Sequence, residues 1–302
     1  MQPPEGAAAS IRGGSTIRRP RFSVLIAARD SANQLERALR SIDKQTCRDF
    51  EVVVVDSGSS EIGEIVREAC PQAVVLRLQE GGGVSVARNL ALRNARGEIA
   101  AFLDIDAVWH PHYLAYHDHV YRQASDALFV FCDYFGHGPD VIGPVRQLAD
   151  SAGDDTLANM VLRPFVHTLS CFTAPLDDVS AVGGFSESLG RLADLDLYIR
   201  LLAGEQKDGD LACFDRPVVG LPHILVLRDT EKEDRPLDHC LSEWEADKRA
   251  FLDRAFAYDF MKPYHDLRSA CAARLDDVLA RYIEANFMKV DTIPGGSAES
   301  RA

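Results

Sequence analysis

From residue 22 to residue 104 the chain keeps one rhythm, a short apolar run followed by a stretch with apolar residues at helical spacing. "FSVLIAA" (22–28) and "EVVVVD" (51–56) are nearly continuous apolar runs, the pattern of strands buried on both faces. "AVVLRL" (73–78) and "EIAAFLD" (98–104) read as a third and a fourth strand. Between them, Leu35, Ala38, Leu39 and Ile42 share one helix face, with Ser31 as a candidate N-cap. Ile62, Ile65, Val66 and Ala69 share another, and "VSVARNLALRNA" (84–95) forms a third helix after a glycine run. Strands alternating with helices over short connections predict an α/β fold, a mostly parallel sheet with helices on both faces.

After about residue 125 the rhythm becomes irregular. "ALFVFCDYF" (127–135) and "HTLSCFTAP" (167–175) read as further strands, and "LADLDLYIRLLAG" (192–204) as a helix ended by Gly204. "VVGLPHILVLR" (218–228) reads as one more strand broken at Pro222, and residues 236 to 288 as two helices parted near Pro263. The organisation expected is a disordered arm over 1–20, a main α/β domain over 21–235, a helical extension over 236–290 and a disordered tail over 291–302. The main domain divides into a first half, 21–125, and a second, 126–235.

"FLDIDAVW" (102–109) ends an apolar run in two carboxylates. If the strand continues, Asp104 and Asp106 point to the same side. Two close like charges repel, and each loses water on burial. A divalent cation such as Mg²⁺ or Mn²⁺ accounts for the pair, because hard cations take carboxylate oxygens and bridge to phosphates. A turn or a helix cap is the alternative. The carboxyl end of a parallel strand is where open α/β sheets place ligands. "EGGGVSVARN" holds no GxGxxG, and the chain has no GxxxxGK[ST] loop, so neither a dinucleotide fingerprint nor a P-loop is present.

The formal charge of −13 excludes a general nucleic-acid binder but not a local pocket for an anionic small molecule. The cysteines are scattered without a CxxC pair, which fits reduced thiols in a cytoplasm rather than a disulfide framework or zinc site. The start lacks the apolar core of a signal peptide, and no stretch approaches 18 consecutive apolar residues. Arg12, Arg18, Arg19 and Arg21 read as a solvated arm, with peripheral contact to an anionic membrane as the alternative. His117 and His119 read as a surface pair. Trp109, His110 and His112 read as a cavity lining or a half-buried aromatic shelf.

Three blocks in order carry a resemblance. "FSVLIAARDSANQLERALRSIDKQTCRDFEVVVVDSGSSE" resembles the opening of glycosyltransferase family 2, with its "PAYN", "LxRxLxSIxxQT" and "DFEVIVVDDGSTD". "GVSVARNLALRNARGEIAAFLDIDA" resembles the family's "GxSxARNxGIxxAxGEYIxFLDADD", and "DDVSAVGGFSESLGRLADLDLYIRLLAG" is similar to its "IGGFDE … EDxDLxLRL" block. The resemblance covers residues 22 to about 204.

It implies a GT-A fold and a metal-dependent, inverting transfer of sugar from a nucleotide donor, a UDP-sugar by family habit, to a carbohydrate or small-molecule acceptor. Position by position, Ala28, Arg29 and Asp30 stand in the family's "PAYN" segment, on the nucleotide. Asp56 matches the first acid of "VDDGS", which reads the donor base, and Arg88 the arginine of "ARN". Asp104, Ile105 and Asp106 match the "DxD" motif, with Asp106 on a Mg²⁺ or Mn²⁺ ion. Asp194 matches the aspartate of "ED", the general base.

This chain departs from the family at four places. "PAYN" is "AARD", the second acid of "VDDGS" is Ser57, and the glutamate before the base is Ala193, which leaves Asp196 as an alternative base. The family's late "YRxH" is "LRDT" (227–230), with no histidine in register; His223 lies nearby. The rival readings are a non-catalytic nucleotide-sugar-binding relative and a nucleotidyltransferase of similar fold.

Overall fold

The structure is a computed structural model that describes residues 18–29, 31–58, 62–78, 82–138, 142–147, 155–204, 216–229 and 237–287. The expected strands of the first half appear as β1 (Phe22–Ala28), β2 (Phe50–Asp56), β3 (Val74–Arg77) and β4 (Ile99–Phe102). The intervening helices are α1 (Ala32–Asp43), α2 (Ile62–Ala69) and α3 (Val84–Asn94). β1 pairs in parallel with β2 and β4, and β2 with β3, so these four strands form one parallel half-sheet. Along β1, Val24 and Ile26 pack into one core cluster and Leu25 into the other. The continuous apolar run is therefore explained, since alternate side chains enter two separate cores. Ser31 precedes α1 but sits at φ 59° and makes no side-chain cap bond; its carbonyl accepts from the Gln34 and Leu35 amides instead.

The second half turns the sheet mixed. After a short β5 (Ala107–Trp109) and α4 (Tyr113–Gln123) come β6 (Phe129–His137), β7 (Ile142–Val145) and α5 (Thr156–Leu162). A 3₁₀ turn (Leu169–Cys171) leads into β8 (Phe172–Pro175), α6 (Leu176–Ala181), α7 (Ala193–Ala203) and β9 (Val218–Asp229). β8 runs antiparallel to both β4 and β6, whereas β9 runs parallel to β6 and antiparallel to β5. The sheet order is β3-β2-β1-β4-β8-β6-β9-β5, with β7 on β6. β9 is not broken at Pro222. The strand continues, and Pro222 and His223 bulge out where the register jumps from Cys132–Leu221 to Asp133–Ile224.

α8 (Leu237–Ala255), a 3₁₀ stretch (Asp259–Tyr264) that holds Pro263, and α9 (Leu267–Phe287) follow. Phe251, Leu252, Ala255, Cys271 and Leu275 join the same core cluster as α3 and α7, so this helical segment packs on the body of the fold. No helix among the described residues is long and apolar enough to cross a membrane.

The arm is anchored where it meets the sheet. Arg18 pairs with Asp49, Arg19 with Asp177 and Arg21 with Glu98 and Asp118; Arg18 and Arg19 stay exposed to solvent as expected, whereas Arg21 is half-buried. Arg12 and the rest of residues 1–17 lie outside the described residues, as does the tail expected over 291–302.

Gly97 shows why the turn into β4 takes no side chain. A Cβ there would lie 2.6 Å from the Ser23 amide nitrogen and 2.7 Å from the Phe22 carbonyl carbon. Those are backbone atoms of β1 and cannot swing away. Gly97→Ala is expected to lower unfolding stability by about 1–3 kcal/mol, read by chemical denaturation.

Candidate active site

The Asp104–Asp106 pair does not ride on a strand. β4 ends at Phe102, and the Ala107 amide donates to the Asp104 carbonyl at 3.1 Å, closing a turn before β5. The same-side geometry expected of a strand is thus replaced by a turn, which still brings the acids together. The charge of Asp104 adds to the push on Asp106. Ile105, between them, is half-buried against the core cluster of β1 and α1.

Each acid meets an arginine. Arg88, on α3, donates from Nη2 to Asp104 Oδ1 at 2.8 Å and from Nη1 to Asp194 Oδ1 at 2.7 Å. Its guanidinium also lies over the Phe185 ring, 5.3 Å from the centroid. Burial alone would lower the Arg88 guanidinium, but Asp194 and Asp104 override it and hold it above its ordinary value. Arg228, on β9, donates from Nε to Asp106 Oδ2 at 3.1 Å. Burial raises the Asp106 carboxyl above the usual carboxylate range, Arg228 works against that rise, and Asp104 adds to it.

Ser170, in the 3₁₀ turn, completes the support of Asp104. It accepts from the Asp104 amide at 2.9 Å, and its hydroxyl stands 3.4 Å from Asp104 Oδ2. Ser170 carried no signal in the sequence as a site residue, and Arg228 only that of standing at the arginine of the family's "YRxH". Their partners lie 66 and 122 positions away, and only the sheet order brings β4, β8 and β9 to one edge.

Asp194 opens α7 and lines a cleft of about 590 Å³ with Val84, Arg88, Arg191 and, from α8, Glu243 and Asp247. Burial raises its carboxyl, while Arg88 pulls the other way. Asp247 holds the cleft rim by accepting from the Gly190 and Arg191 amides.

Asp196 is placed differently. It is 0% exposed and accepts from Arg200 at 2.7 and 2.9 Å and from Arg254, on α8, at 3.1 Å. Arg200 in turn donates to the Val182 and Gly184 carbonyls. Asp196 is the knot between α7, α8 and the Gly183–Gly184 turn, and it is not open to a substrate. Asp196→Asn keeps one acceptor but leaves two guanidiniums without a counter-charge. A loss of about 2–3 kcal/mol in unfolding stability is expected, measured by urea titration.

Asp56 ends β2 beside Ala28 at the end of β1; its Oδ1 accepts from the Gly58 amide at 3.0 Å. Arg29 is exposed just beyond β1, and Asp30 lies outside the described residues. The structure therefore gathers Arg88, Asp104, Asp106 and Asp194 into one cluster, and sets Ala28 and Asp56 at adjacent strand ends of the same parallel half-sheet.

The aromatic residues after the turn belong elsewhere. Trp109 is buried, stacks on Tyr113 at 4.1 Å and donates to the Ser170 carbonyl, so it lines no cavity of this centre. His223 is exposed on the bulge, with its ring 4.9 Å from that of Tyr116. His117 is 0% exposed, contrary to the surface reading; burial pushes its imidazole down to about 3. Its Nδ1 bonds Thr173 Oγ1 at 2.8 Å, while His119 is exposed as expected.

A divalent cation fits what these residues offer. Asp106 Oδ1 is buried with no hydrogen-bond partner, a cost that a hard cation would remove. Among the described residues no group of three or more His, Cys, Asp or Glu could hold a metal. The remaining ligands would be water and donor oxygens, the usual habit of Mg²⁺.

The profile of "Glycosyl transferase family 2" matches residues 23–176, just over half of the chain. An uncharacterized glycosyltransferase of Nostoc sp. is 33% identical over 153 residues, which are 47% of this chain and 46% of that protein. One of Rickettsia typhi is 24% identical, over 61% of this chain and 59% of its own. The chain thus spans about half the length of these curated relatives. Among solved structures, S. aureus TarS (residues 1–349) superposes with a TM-score of 0.60 at 20% identity, covering 89% of this chain and 72% of that one. The mannosyltransferase PcManGT from Pyrobaculum calidifontis, in complex with GDP-Man and Mn²⁺, gives 0.57 at 20% identity, over 91% of this chain and 77% of its own. Profile and superpositions agree with the ordered blocks read from the residues: the chain belongs to glycosyltransferase family 2 and has the GT-A fold.

Proposed function

We propose that the chain moves a sugar from a nucleoside-diphosphate sugar, a UDP-sugar, to an acceptor hydroxyl with inversion at the anomeric carbon. The observation that carries this reading is the Arg88 bridge, which ties Asp104 to Asp194 at the edge of an open cleft. One acid belongs to the donor and the other to the acceptor.

Ala28, Arg29, Asp30 and Asp56 receive the nucleotide at the ends of β1 and β2. Arg88, Asp104 and Ile105 face the remainder of the donor. Asp106, with Asp104 beside it, would hold the Mg²⁺ or Mn²⁺ ion, which supplies charge stabilisation to the diphosphate leaving group. The bound nucleotide sugar and Mn²⁺ of PcManGT, and the UDP-GlcNAc complex of TarS, support a site of this kind.

Asp194 takes the proton of the acceptor hydroxyl on a carboxylate oxygen. Its raised carboxyl makes it a stronger base than an ordinary aspartate, and Arg88 orients it. Attack from the Asp194 side, opposite the departing diphosphate, inverts the anomeric configuration. On this reading residues 21–125 form the donor half, 126–235 the acceptor half, and the helical extension over 236–290 walls the acceptor cleft through Glu243 and Asp247. The free thiols of Cys47, Cys70, Cys132, Cys171 and Cys271 support a cytoplasmic setting.

Incubation with a panel of UDP-sugars and Mn²⁺, followed by product analysis, tests the proposal. Release of UDP is the expected result. Release of sugar 1-phosphate, with the uridylyl group carried to another acceptor, would identify a nucleotidyltransferase, and binding without any release a non-catalytic relative.

A further inference from the structure

A second charged cavity lies apart from the acidic centre. It has a volume of about 420 Å³ and is lined by Leu162, Arg163, Pro164, His167, Arg274 and Arg281. Leu162 ends α5, the next three come from the segment after it, and the two others from α9. Among the described residues no carboxylate pairs with Arg163, Arg274 or Arg281, whereas most other arginines of the fold have an acidic partner. Arg274 Nε is buried without a hydrogen-bond partner. Three like charges around one cavity repel one another, and a buried guanidinium N–H without an acceptor costs free energy comparable to a lost charged hydrogen bond. In a chain of net charge −13 such a cluster runs against the overall sign. An anion entering the cavity would relieve both costs.

The place of the cavity in the topology suggests what that anion belongs to. β8 runs antiparallel to β4, so the segment leading into β8 lies at the carboxyl edge of β4, where Asp104 sits. Residues 163–171 form that segment: His167 lines the cavity and Ser170 holds Asp104. β6 runs antiparallel to β8 and ends at the same edge, and its Tyr134 meets the His167 ring edge-on at 6.4 Å. The cavity and the acidic centre are thus joined by one short segment on one edge of the sheet. The donor nucleotide falls to the β1–β2 side, which leaves the acceptor for the β6–α9 side.

We propose that the cavity between the 163–167 segment and α9 is a phosphoryl-binding subsite, and that it holds a phosphate carried by the acceptor. Arginine suits this group, because its planar fork meets two phosphate oxygens at once and keeps its charge at every working pH. The inference rests on the acceptor-side assignment made above.

Isothermal titration of the full chain with matched probes tests it: glycerol and glycerol 1-phosphate, glucose and glucose 6-phosphate, and inorganic phosphate. The phosphorylated member of each pair is expected to bind and the plain member not to bind. Inorganic phosphate is expected to compete with the phosphoesters. Arg274→Gln is expected to weaken phosphoester binding about tenfold or more. Arg163→Gln, on the exposed loop, guards against a folding effect in α9 and is expected to weaken it as well, with each variant's Tm taken as the check on folding. Equal binding of the plain and phosphorylated members, or unchanged binding in both folded variants, overturns the subsite. Binding of inorganic phosphate without any phosphoester overturns its assignment to the acceptor. UDP release without acceptor reports on the acidic centre alone, so a failure here is distinct from a failure of the proposed transfer.

Discussion

Asp194→Asn is expected to lower turnover by about 10²–10⁴ while donor affinity stays within a few-fold. Asparagine keeps the shape of the side chain and one acceptor for Arg88, so the cluster of α3 and α7 persists. It cannot accept a proton, so the acceptor hydroxyl remains a poor nucleophile. The pH profile separates this role from a structural one. Burial raises the Asp194 carboxyl and Arg88 opposes the rise, so the base loses its proton above the ordinary aspartate range. The wild-type rate is expected to climb through that raised value and then level off, and the variant to lose the inflection. Stability moves in the opposite sense. A carboxyl raised by folding binds more protons folded than unfolded, so its contribution falls as pH rises from the ordinary value through the raised one. Full turnover in Asp194→Asn would remove the mechanism, because Asp196 is closed off by Arg200 and Arg254 and cannot substitute for it.

Asp106→Ala is expected to abolish metal-dependent donor binding and leave a folded chain. Burial already disfavours the charge at this position, and Arg228 only partly offsets it, so removal of the carboxylate takes away a charge the fold accommodates poorly. Arg228 keeps Asp104 as a neighbouring negative charge. The measurement is a thermal shift with a UDP-sugar, with and without Mn²⁺. A ligand at 100 times its dissociation constant stabilises the wild type by about 2.7 kcal/mol. The variant should show no metal-dependent increment. An undiminished increment would take the cation away from Asp106.

Much of the first half was legible because its strands and helices have different periods. "FSVLIAA" and "EVVVVD" declare strands with two covered faces, and Leu35, Leu39 and Ile42 declare a helix on them. The second half was harder for physical reasons. β7 and α6 have four and six residues, too few for a period to show. Pro222 reads as a break, yet a bulge lets β9 pass it. At the site, the acids were legible because a "DxD" pair is local, but the turn that orients them was not. Asp104's partners come from α3 and the 3₁₀ turn, and Asp106's from β9. His117 shows the same limit. A histidine two places from an exposed one points elsewhere, and only the packing of β8 against α4 says that elsewhere is the core.

One guanidinium, Arg88, serves Asp104 and Asp194 together, and this couples the fates of the two acids. Replacement of either leaves the other as the sole claimant of Arg88, which draws the guanidinium toward the survivor and changes its acidity. The effects of the two substitutions on stability are then not additive. A double-mutant cycle on Asp104 and Asp194, read by chemical denaturation, is therefore expected to show a coupling of about 0.5–3 kcal/mol rather than zero.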